Sequence, residues 1–128
     1  MTLEAAVIVI RDFYGRILTV TRRNSDLFGL PGGKLDAGEL PEEAAIREAK
    51  EETGIEVRTA SFMFSKTDGE FITHCYHADT WRGTPCEMEP GIVPDWKYPT
   101  EIYGPGSAFP EYNQSVVSQL PKLNLFPW

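Results

Sequence analysis

The sequence has little cysteine and little positive charge. Its 128 residues include two cysteines, and 12 lysines and arginines stand against 19 aspartates and glutamates, for a formal net charge of −7. Cys75 and Cys86 lie in dissimilar surroundings without partner ligands, so we interpret them as reduced thiols rather than a disulfide or a metal site. The acidic balance argues against a nucleic-acid polymer as partner, because binding a phosphate backbone requires clustered lysine and arginine.

Long apolar runs are also missing. No segment reaches the roughly 18 to 20 apolar residues that cross a bilayer, and the N-terminus lacks the basic region and cleavage site of a secretory signal. These absences predict a cytoplasmic protein without a membrane partner. With 128 residues, 41% of them hydrophobic and 12% aromatic, the chain can build one core but not two. We therefore expect a single domain over residues 1–128.

Hydrophobic patterning is rich in strand signals. Runs of β-branched and aromatic residues predict strands at residues 5–10, 16–21, 55–66, 71–81 and 96–98. A turn at residues 12–15 would join the first two strands as a hairpin. Helical signals predict one helix at residues 41–53 and another at 113–120. Periodicity alone therefore indicates an α+β or α/β fold.

The densest polar cluster lies at residues 33–55, in the run GKLDAGELPEEAAIREAKEETGI. Pro41 suits the first position of a helix, and Gly54 suits the residue just past its end. On such a helix Glu48 and Glu52 share one face. Like charges at this spacing repel each other, and a divalent cation would relieve the repulsion. The alternative is a solvated acidic helix face.

Glu51 lies three residues after Glu48 and adds another carboxylate to this cluster. Hard oxygen ligands suit Mg²⁺, with Mn²⁺ as a second candidate, and these ions recruit phosphate oxygens to complete their coordination. Arg47 lies four residues from both Glu43 and Glu51. We therefore expect Arg47 to pair with carboxylates of its own helix and to hold them for the metal.

Two adjacent glycines precede this helix, in Leu30-Pro31-Gly32-Gly33-Lys34. We expect a turn in which the glycines adopt positive φ and let the backbone approach a ligand closely. Such a loop can offer a carbonyl oxygen to a metal or amide groups to a phosphate. Together with the acidic helix, it predicts a metal site that holds a pyrophosphate.

The spacing of the run resembles a known motif. Five residues separate Gly33 from Glu39, and seven more precede Arg47, where the sequence Arg-Glu-Ala-Lys-Glu-Glu-Thr-Gly-Ile begins. This pattern resembles the Nudix box, and nine restricted positions in one window of 23 residues rarely coincide by chance. The resemblance implies an α/β fold, the Nudix α/β/α sandwich with a mixed β-sheet between helices.

The Nudix resemblance also implies roles for individual residues. The carboxylates of Glu48, Glu51 and Glu52 would bind the metal together with the carbonyl oxygen of Gly32. Glu39 would brace the loop against the helix rather than bind the metal directly.

Outside the box, the chain is similar to the MutT-like branch of the Nudix hydrolases in three segments: Thr21-Arg22-Arg23, Trp81 to Pro85 followed by Glu89, and Phe109 to Asn113 followed by two valines. The resemblance implies that Arg23 contacts the sugar and phosphates, Glu89 adds a metal ligand, and Asn113 recognises the purine edge. The alternative for Asn113 is a helix N-cap.

The residues before Gly32 depart from the MutT-like pattern. Gly29 and Leu30 replace a Glu-Phe pair, and the loop before them is shorter, so the base pocket can differ in shape. The resemblance nevertheless implies that Gly29, Leu30, Pro31 and Gly32 belong to the substrate-binding residues, with Arg23 and Asn113.

This resemblance implies a Mg²⁺-dependent pyrophosphohydrolase that cleaves a nucleoside triphosphate, such as the oxidised purine 8-oxo-dGTP, to the monophosphate and pyrophosphate. Glu48, Glu52 and Arg47 would be catalytic, with Glu48 or Glu52 taking the proton of a metal-activated water. The alternatives are a Nudix hydrolase of a nucleotide sugar or ADP-ribose and a non-catalytic nucleotide sensor. The expected partner is a small-molecule nucleotide, and both a monomer and a homodimer remain open.

Overall fold

The computed structural model describes residues 2–21 and 25–121, and this part of the chain forms seven strands and two α-helices. The strands are β1 (Leu3–Val9), β2 (Ile17–Thr21), β3 (Phe28–Gly29), β4 (Gly32–Lys34), β5 (Glu56–Asp68), β6 (Phe71–Arg82) and β7 (Pro94–Lys97). The helices are α1 (Pro41–Thr53) and α2 (Pro110–Ser118), and a 3₁₀ turn, Pro99–Glu101, follows β7. Neither helix of the described ranges is long and apolar enough to pass through a membrane.

The strands form two sheets. The larger sheet has four strands in the order β4-β1-β6-β5, and the smaller has three in the order β3-β2-β7. In the larger sheet β1 runs parallel to β6, whereas the β1–β4 and β5–β6 pairs are antiparallel. A parallel pair requires a long crossover, and the chain from β2 through α1 and β5 supplies it. The predicted mixed sheet is confirmed.

Apolar side chains cover both faces of the larger sheet. On one face α1 packs against alternate residues of β1, and the buried cluster there includes Ala6, Ile8, Ala45, Ala49 and Ile55. On the other face a second cluster joins the sheet to the smaller sheet and α2, and it includes Val9, Ile17, Cys75, Ile102 and Val116. The larger sheet therefore lies between two helical layers, as the α/β/α expectation requires.

The connection between β1 and β2 is a corner between the two sheets. The turn closes as expected, because the N–H of Asp12 donates to the carbonyl of Arg16 at 3.0 Å and that of Leu18 to Ile10 at 2.9 Å. Beyond the turn, β2 pairs with β3 and β7 rather than with β1. The hairpin prediction is therefore wrong past the turn, since turn residues specify a chain reversal but not the partner of the returning strand.

Local signals define the ends of α1. Pro41 occupies the first turn, and Gly54 ends the helix with a φ of 80°, a conformation that favours glycine. Leu40 offers no side-chain cap, but its N–H donates to Oε1 of Glu43 at 2.9 Å. The prediction of this helix is confirmed. By contrast, α2 begins at Pro110, three residues before the predicted start.

Candidate active site

The Gly32-Gly33 pair lies in a strand rather than in a turn. Both residues belong to β4, and neither is among the glycines with positive φ, so that expectation is wrong. Glycine is needed here because of close approach. A Cβ on Gly32 would lie 2.7 Å from Cγ1 of Val7, and a Cβ on Gly33 would lie 2.7 Å from Oε1 of Glu48. The absence of side chains therefore lets β4 pack against both β1 and the α1 carboxylate.

The strand pairing orients the backbone of Gly32. The N–H of Ile8 donates to the carbonyl of Pro31 at 3.0 Å, and successive residues of an antiparallel strand direct their polar groups to opposite sides. Gly32 therefore turns its N–H and carbonyl away from β1. Its N–H donates to Oε1 of Glu52 at 2.8 Å. The carbonyl lies on this same edge of β4, on the side of the Glu52 carboxylate, and its role as a metal ligand stays a prediction.

Arg47 connects the carboxylates of the box. Its Nε and Nη2 donate to the two oxygens of Glu39 at 2.8 and 2.9 Å, while Nη1 donates to Glu48 at 2.9 Å and to Glu51 at 3.1 Å. The expected pairing with Glu51 is therefore present. The expected pairing with Glu43 is wrong, because Glu43 accepts the N–H at the start of the helix instead.

Glu39 joins the loop before α1 to the helix itself. Besides its two bonds from Arg47, Oε1 accepts the N–H of Asp36 at 2.9 Å, and Arg47 also donates to the carbonyl of Lys34 at 3.2 Å. The bonds from Arg47 and the Asp36 amide lower the pKa of Glu39 to about 2. Glu39 is therefore ionised and fixed in place, which matches the bracing role that the resemblance implies.

A cavity of about 950 Å³ adjoins this cluster. It lies between the β1–β4 pair, the end of the β5–β6 hairpin and the start of α2. Of the predicted substrate-binding residues, Leu30, Gly32 and Asn113 line it. The backbones of Gly29 and Pro31 are used instead in pairing with β2 and β1. One ligand in this cavity can therefore reach both the box glycines and α2.

Asn113 is buried in α2, with 1% of its surface exposed. Its Nδ2 donates to the carbonyl of Ile102 at 2.8 Å and to Oγ of Ser107 at 3.1 Å. Because a carbonyl can only accept, the amide orientation is fixed and Oδ1 is the atom left for a ligand. The helix begins at Pro110, so Asn113 is not an N-cap. Because both bonds of the amide nitrogen go to the protein, Asn113 offers a ligand an acceptor only.

Glu89 follows β6 in a loop that packs against the end of α1. The N–H of Cys86 donates to the carbonyl of Thr53 at 2.9 Å. This contact brings the loop to the end of the helix, and the metal role of Glu89 stays a prediction. Arg23 lies outside the described residues, so its role also stays a prediction.

Comparison with known proteins identifies the family. The sequence model of the NUDIX domain matches residues 1–105, which include all seven strands and α1. The chain belongs to the Nudix family. It is therefore a hydrolase that acts on phosphoric anhydride bonds. Asn113 and α2 lie beyond the matched range.

Individual Nudix relatives match nearly the whole chain. The 8-oxo-dGTP diphosphatase of Escherichia coli (strain K12) is 34% identical over 131 residues, covering 94% of this chain and 98% of that protein. The MutT Nudix hydrolase structure from Burkholderia pseudomallei is 27% identical, with a TM-score of 0.76 over 94% of this chain and 99% of that chain. A MutT structure from work on Aliivibrio salmonicida and Vibrio cholerae reaches a TM-score of 0.78 at 25% identity, over 93% and 96%.

The charge of the Nudix box fits a divalent cation. Four carboxylates lie within 3.4 Å of the Arg47 guanidinium, so the group is net negative. Burial raises the pKa of Glu48 although Arg47 opposes the shift. Among the described residues, no three His, Cys, Asp or Glu side chains already surround one point, because Glu48 and Glu51 face Arg47 while Glu52 faces the Gly32 amide. The donors suit a hard cation, and these side chains must rotate to enclose it.

Sequence reasoning missed most of the cavity wall. The missed residues come from three strands of the larger sheet, and they include Ala5, Val7, Lys66, Asp68, Phe71 and Thr73. Strand pairing brings them together, and hydrophobic periodicity does not specify which strands pair. The sequence contains one local sign of this wall. Lys66 and Asp68 lie two positions apart, so on a strand both charged side chains project from the same face.

Proposed function

We propose that this Nudix hydrolase is a single-domain, Mg²⁺-dependent pyrophosphohydrolase that cleaves a purine nucleoside triphosphate, of the 8-oxo-dGTP type, to the monophosphate and pyrophosphate. The observation that carries the proposal is the cavity, whose wall includes both Gly32, beside the box carboxylates, and Asn113 on α2. A nucleotide can therefore place phosphates at one end and its base at the other. Similarity to an 8-oxo-dGTP diphosphatase over 94% of the chain supports this substrate class.

At the phosphate end, the Gly32 carbonyl would hold Mg²⁺ together with four carboxylates, those of Glu48, Glu51, Glu52 and Glu89. Bound Mg²⁺ supplies an activated water and neutralises charge on the phosphate oxygens. Glu48 or Glu52 would accept a proton from the attacking water. Glu48 suits this task because burial raises its pKa, and Glu52 because the Gly32 amide orients it. Arg47 holds the carboxylate cluster in position.

At the nucleoside end, Asn113 presents Oδ1 to the cavity and accepts a hydrogen bond from an N–H group of the purine. Its amide nitrogen stays bonded to Ile102, so the acceptor cannot turn away without breaking that bond. Leu30 adds an apolar surface to the same wall. Arg23 contacts the sugar and phosphates in this proposal.

A nucleotide panel tests the proposed function. Purified protein is incubated with 8-oxo-dGTP, dGTP, dATP, dCTP, ADP-ribose and a nucleotide sugar, with Mg²⁺ or with EDTA, and the products are separated by chromatography. We expect pyrophosphate and monophosphate from the purine triphosphates, fastest from the guanine pair, and only with the metal. Faster cleavage of ADP-ribose or the nucleotide sugar would contradict the triphosphate assignment. Nucleotide binding without turnover of any compound would indicate a sensor.

A further inference from the structure

One row of paired residues crosses the larger sheet along the cavity. Ala5 of β1 pairs with Lys34 of β4 on one side and with Thr73 of β6 on the other, and Thr73 pairs with Lys66 of β5. Directly paired residues project their side chains from the same face of a sheet. All four residues line the cavity. Two lysines therefore lie at the ends of a row whose middle holds small side chains.

The row runs from the Nudix box at β4 to the far edge of the sheet at β5. Lys34 adjoins Gly33, so it lies at the end where the Nudix carboxylates are. Lys66 is three strand spacings away, about 14 Å between Cα atoms at the usual spacing. A ligand whose phosphates lie against the box glycines can extend its nucleoside over Ala5 and Thr73, between the start of α2 and the end of β5. A base in that position has Asn113 on one side and this part of β5 on the other.

Asp68 is the second charged residue on this part of β5. It lies two positions after Lys66, so both side chains leave the same face of the strand. Its partner across the hairpin, Phe71, also lines the cavity. Within residues 2–21 and 25–121, the side chains of Lys66 and Asp68 form neither a hydrogen bond nor an ion pair. A cation and an anion side by side in a cavity wall are thus available to a ligand.

This pair matches one kind of base edge. Lysine is a donor only, and an ionised aspartate is an acceptor only. A guanine-type base carries a carbonyl acceptor at position 6 beside N–H donors, whereas adenine carries an amino donor at position 6. The two side chains, about 6.8 Å apart along the strand at Cα, can therefore satisfy neighbouring groups of a guanine edge. With adenine, Lys66 would face a donor and lose its bond.

Resting on the proposed function, we propose that Lys66 and Asp68 are base-recognition residues that select guanine-type purines. Lys66 donates to the 6-oxygen, and Asp68 accepts from the adjacent N–H groups. Phe71 offers an aromatic surface against which the base can pack. The pair determines the choice between purines and is separate from the box that performs the hydrolysis.

The test compares Lys66→Ala and Asp68→Ala with Arg58→Ala, a cation removed from the same strand outside the cavity. For each protein, kcat/KM is measured on dGTP and dATP with Mg²⁺, and binding of dGMP and dAMP is measured by calorimetry without metal. We expect each of the first two variants to lower the dGTP to dATP ratio of kcat/KM about 10- to 100-fold, as for lost charged hydrogen bonds. The dGMP preference in calorimetry should fall in parallel, while Arg58→Ala keeps both ratios.

An unchanged ratio in the Lys66 and Asp68 variants would overturn this inference and leave the proposed function in place. An equal loss on both nucleotides would also overturn it, because it would indicate a phosphate contact or a structural role. Wild-type protein that cleaves no triphosphate contradicts the proposed function instead. In that case the calorimetry still decides the inference, since wild type must bind dGMP more tightly than dAMP and both variants must lose that preference.

Discussion

The two ends of the cavity hold their charged side chains in different ways. At the box end, Arg47 bonds to three carboxylates at 2.8 to 3.1 Å, and Glu52 accepts the Gly32 amide. At the far end, Lys66 and Asp68 have neither a hydrogen bond nor an ion pair from their side chains to the described residues. The carboxylates of the proposed reaction site are thus held by protein partners until a cation takes their place, whereas Lys66 and Asp68 have no such partner among the described residues.

The ends also differ in how they are built. The box end comes from one continuous segment, residues 32–52, in which a strand and a helix lie next to each other. The far end joins β1, β5, β6 and α2, which are distant in sequence. Changes at the box end should therefore remove hydrolysis of every nucleotide, and changes at the far end should alter the choice among nucleotides.

The largest effect is expected from Glu52→Gln. The variant removes a charge from the proposed metal and base cluster while keeping the shape, so we expect turnover of all nucleotides to fall about 10²- to 10⁴-fold. Thermal melting should change little. Glu42→Gln, the same change near the exposed start of α1, should keep near wild-type activity. Undiminished turnover in Glu52→Gln would contradict the site assignment.

Gly33→Ala should be the next most severe. The added Cβ would lie 2.7 Å from Oε1 of Glu48, the movable end of a side chain. The carboxylate can swing aside, so stability should change little, but its displacement should lower kcat about 10- to 100-fold. The control is Gly104→Ala, where the nearest atom is a backbone oxygen at 3.5 Å. Circular dichroism melts measure the stability of each variant, and steady-state rates measure kcat. Equal kcat in Gly33→Ala and Gly104→Ala would contradict the proposed contact between Gly33 and Glu48.

Asn113→Ala should affect recognition at the far end. Loss of one hydrogen bond to the base should raise KM for purine nucleotides about 10-fold, with a smaller change in kcat. The variant also leaves the Ile102 carbonyl without its donor, which should cost roughly 1 to 3 kcal/mol of unfolding free energy. Gln114→Ala, on the exposed side of the same helix, is the control. An equal rise in KM for dCTP would show that Asn113 acts through the fold alone.

The smallest effect is expected in the pH dependence of the stability that Glu39 contributes. Its folded-state pKa of about 2 lies below the ordinary value of 4.5, so its contribution to stability is complete above pH 4.5 and is lost as the pH falls through 2. Glu39→Gln should therefore be less stable than wild type at pH 7, and the difference should shrink toward pH 2. Urea unfolding midpoints across this range measure it. Glu70→Gln, at an exposed position, is the control. If the difference in midpoint between wild type and Glu39→Gln stays constant with pH, the result would count against the Arg47–Glu39 pairing.

Helix α1 was open to prediction because its signals are local. Pro41 and Gly54 specify its ends, and a period of 3.6 residues per turn places Glu48, Glu51 and Glu52 close together whatever the rest of the chain does. The pairing of Arg47 with Glu51 follows from the same spacing. Its pairing with Glu39 in place of Glu43 does not, because Glu39 reaches Arg47 from the loop before the helix.

The Nudix box could be derived from the order of the residues: which of them form α1, which carboxylates gather on it, and therefore the family and the type of bond cleaved. Four features depended on how the chain packs. The Gly32-Gly33 pair is a strand, β2 leaves β1 for another sheet, Asn113 offers an acceptor alone, and Lys66 faces the cavity. The two groups of features differ in the distance along the chain over which their causes act. Helix periodicity and capping act within a few residues, whereas strand partners and buried hydrogen bonds depend on segments that meet only when the chain packs.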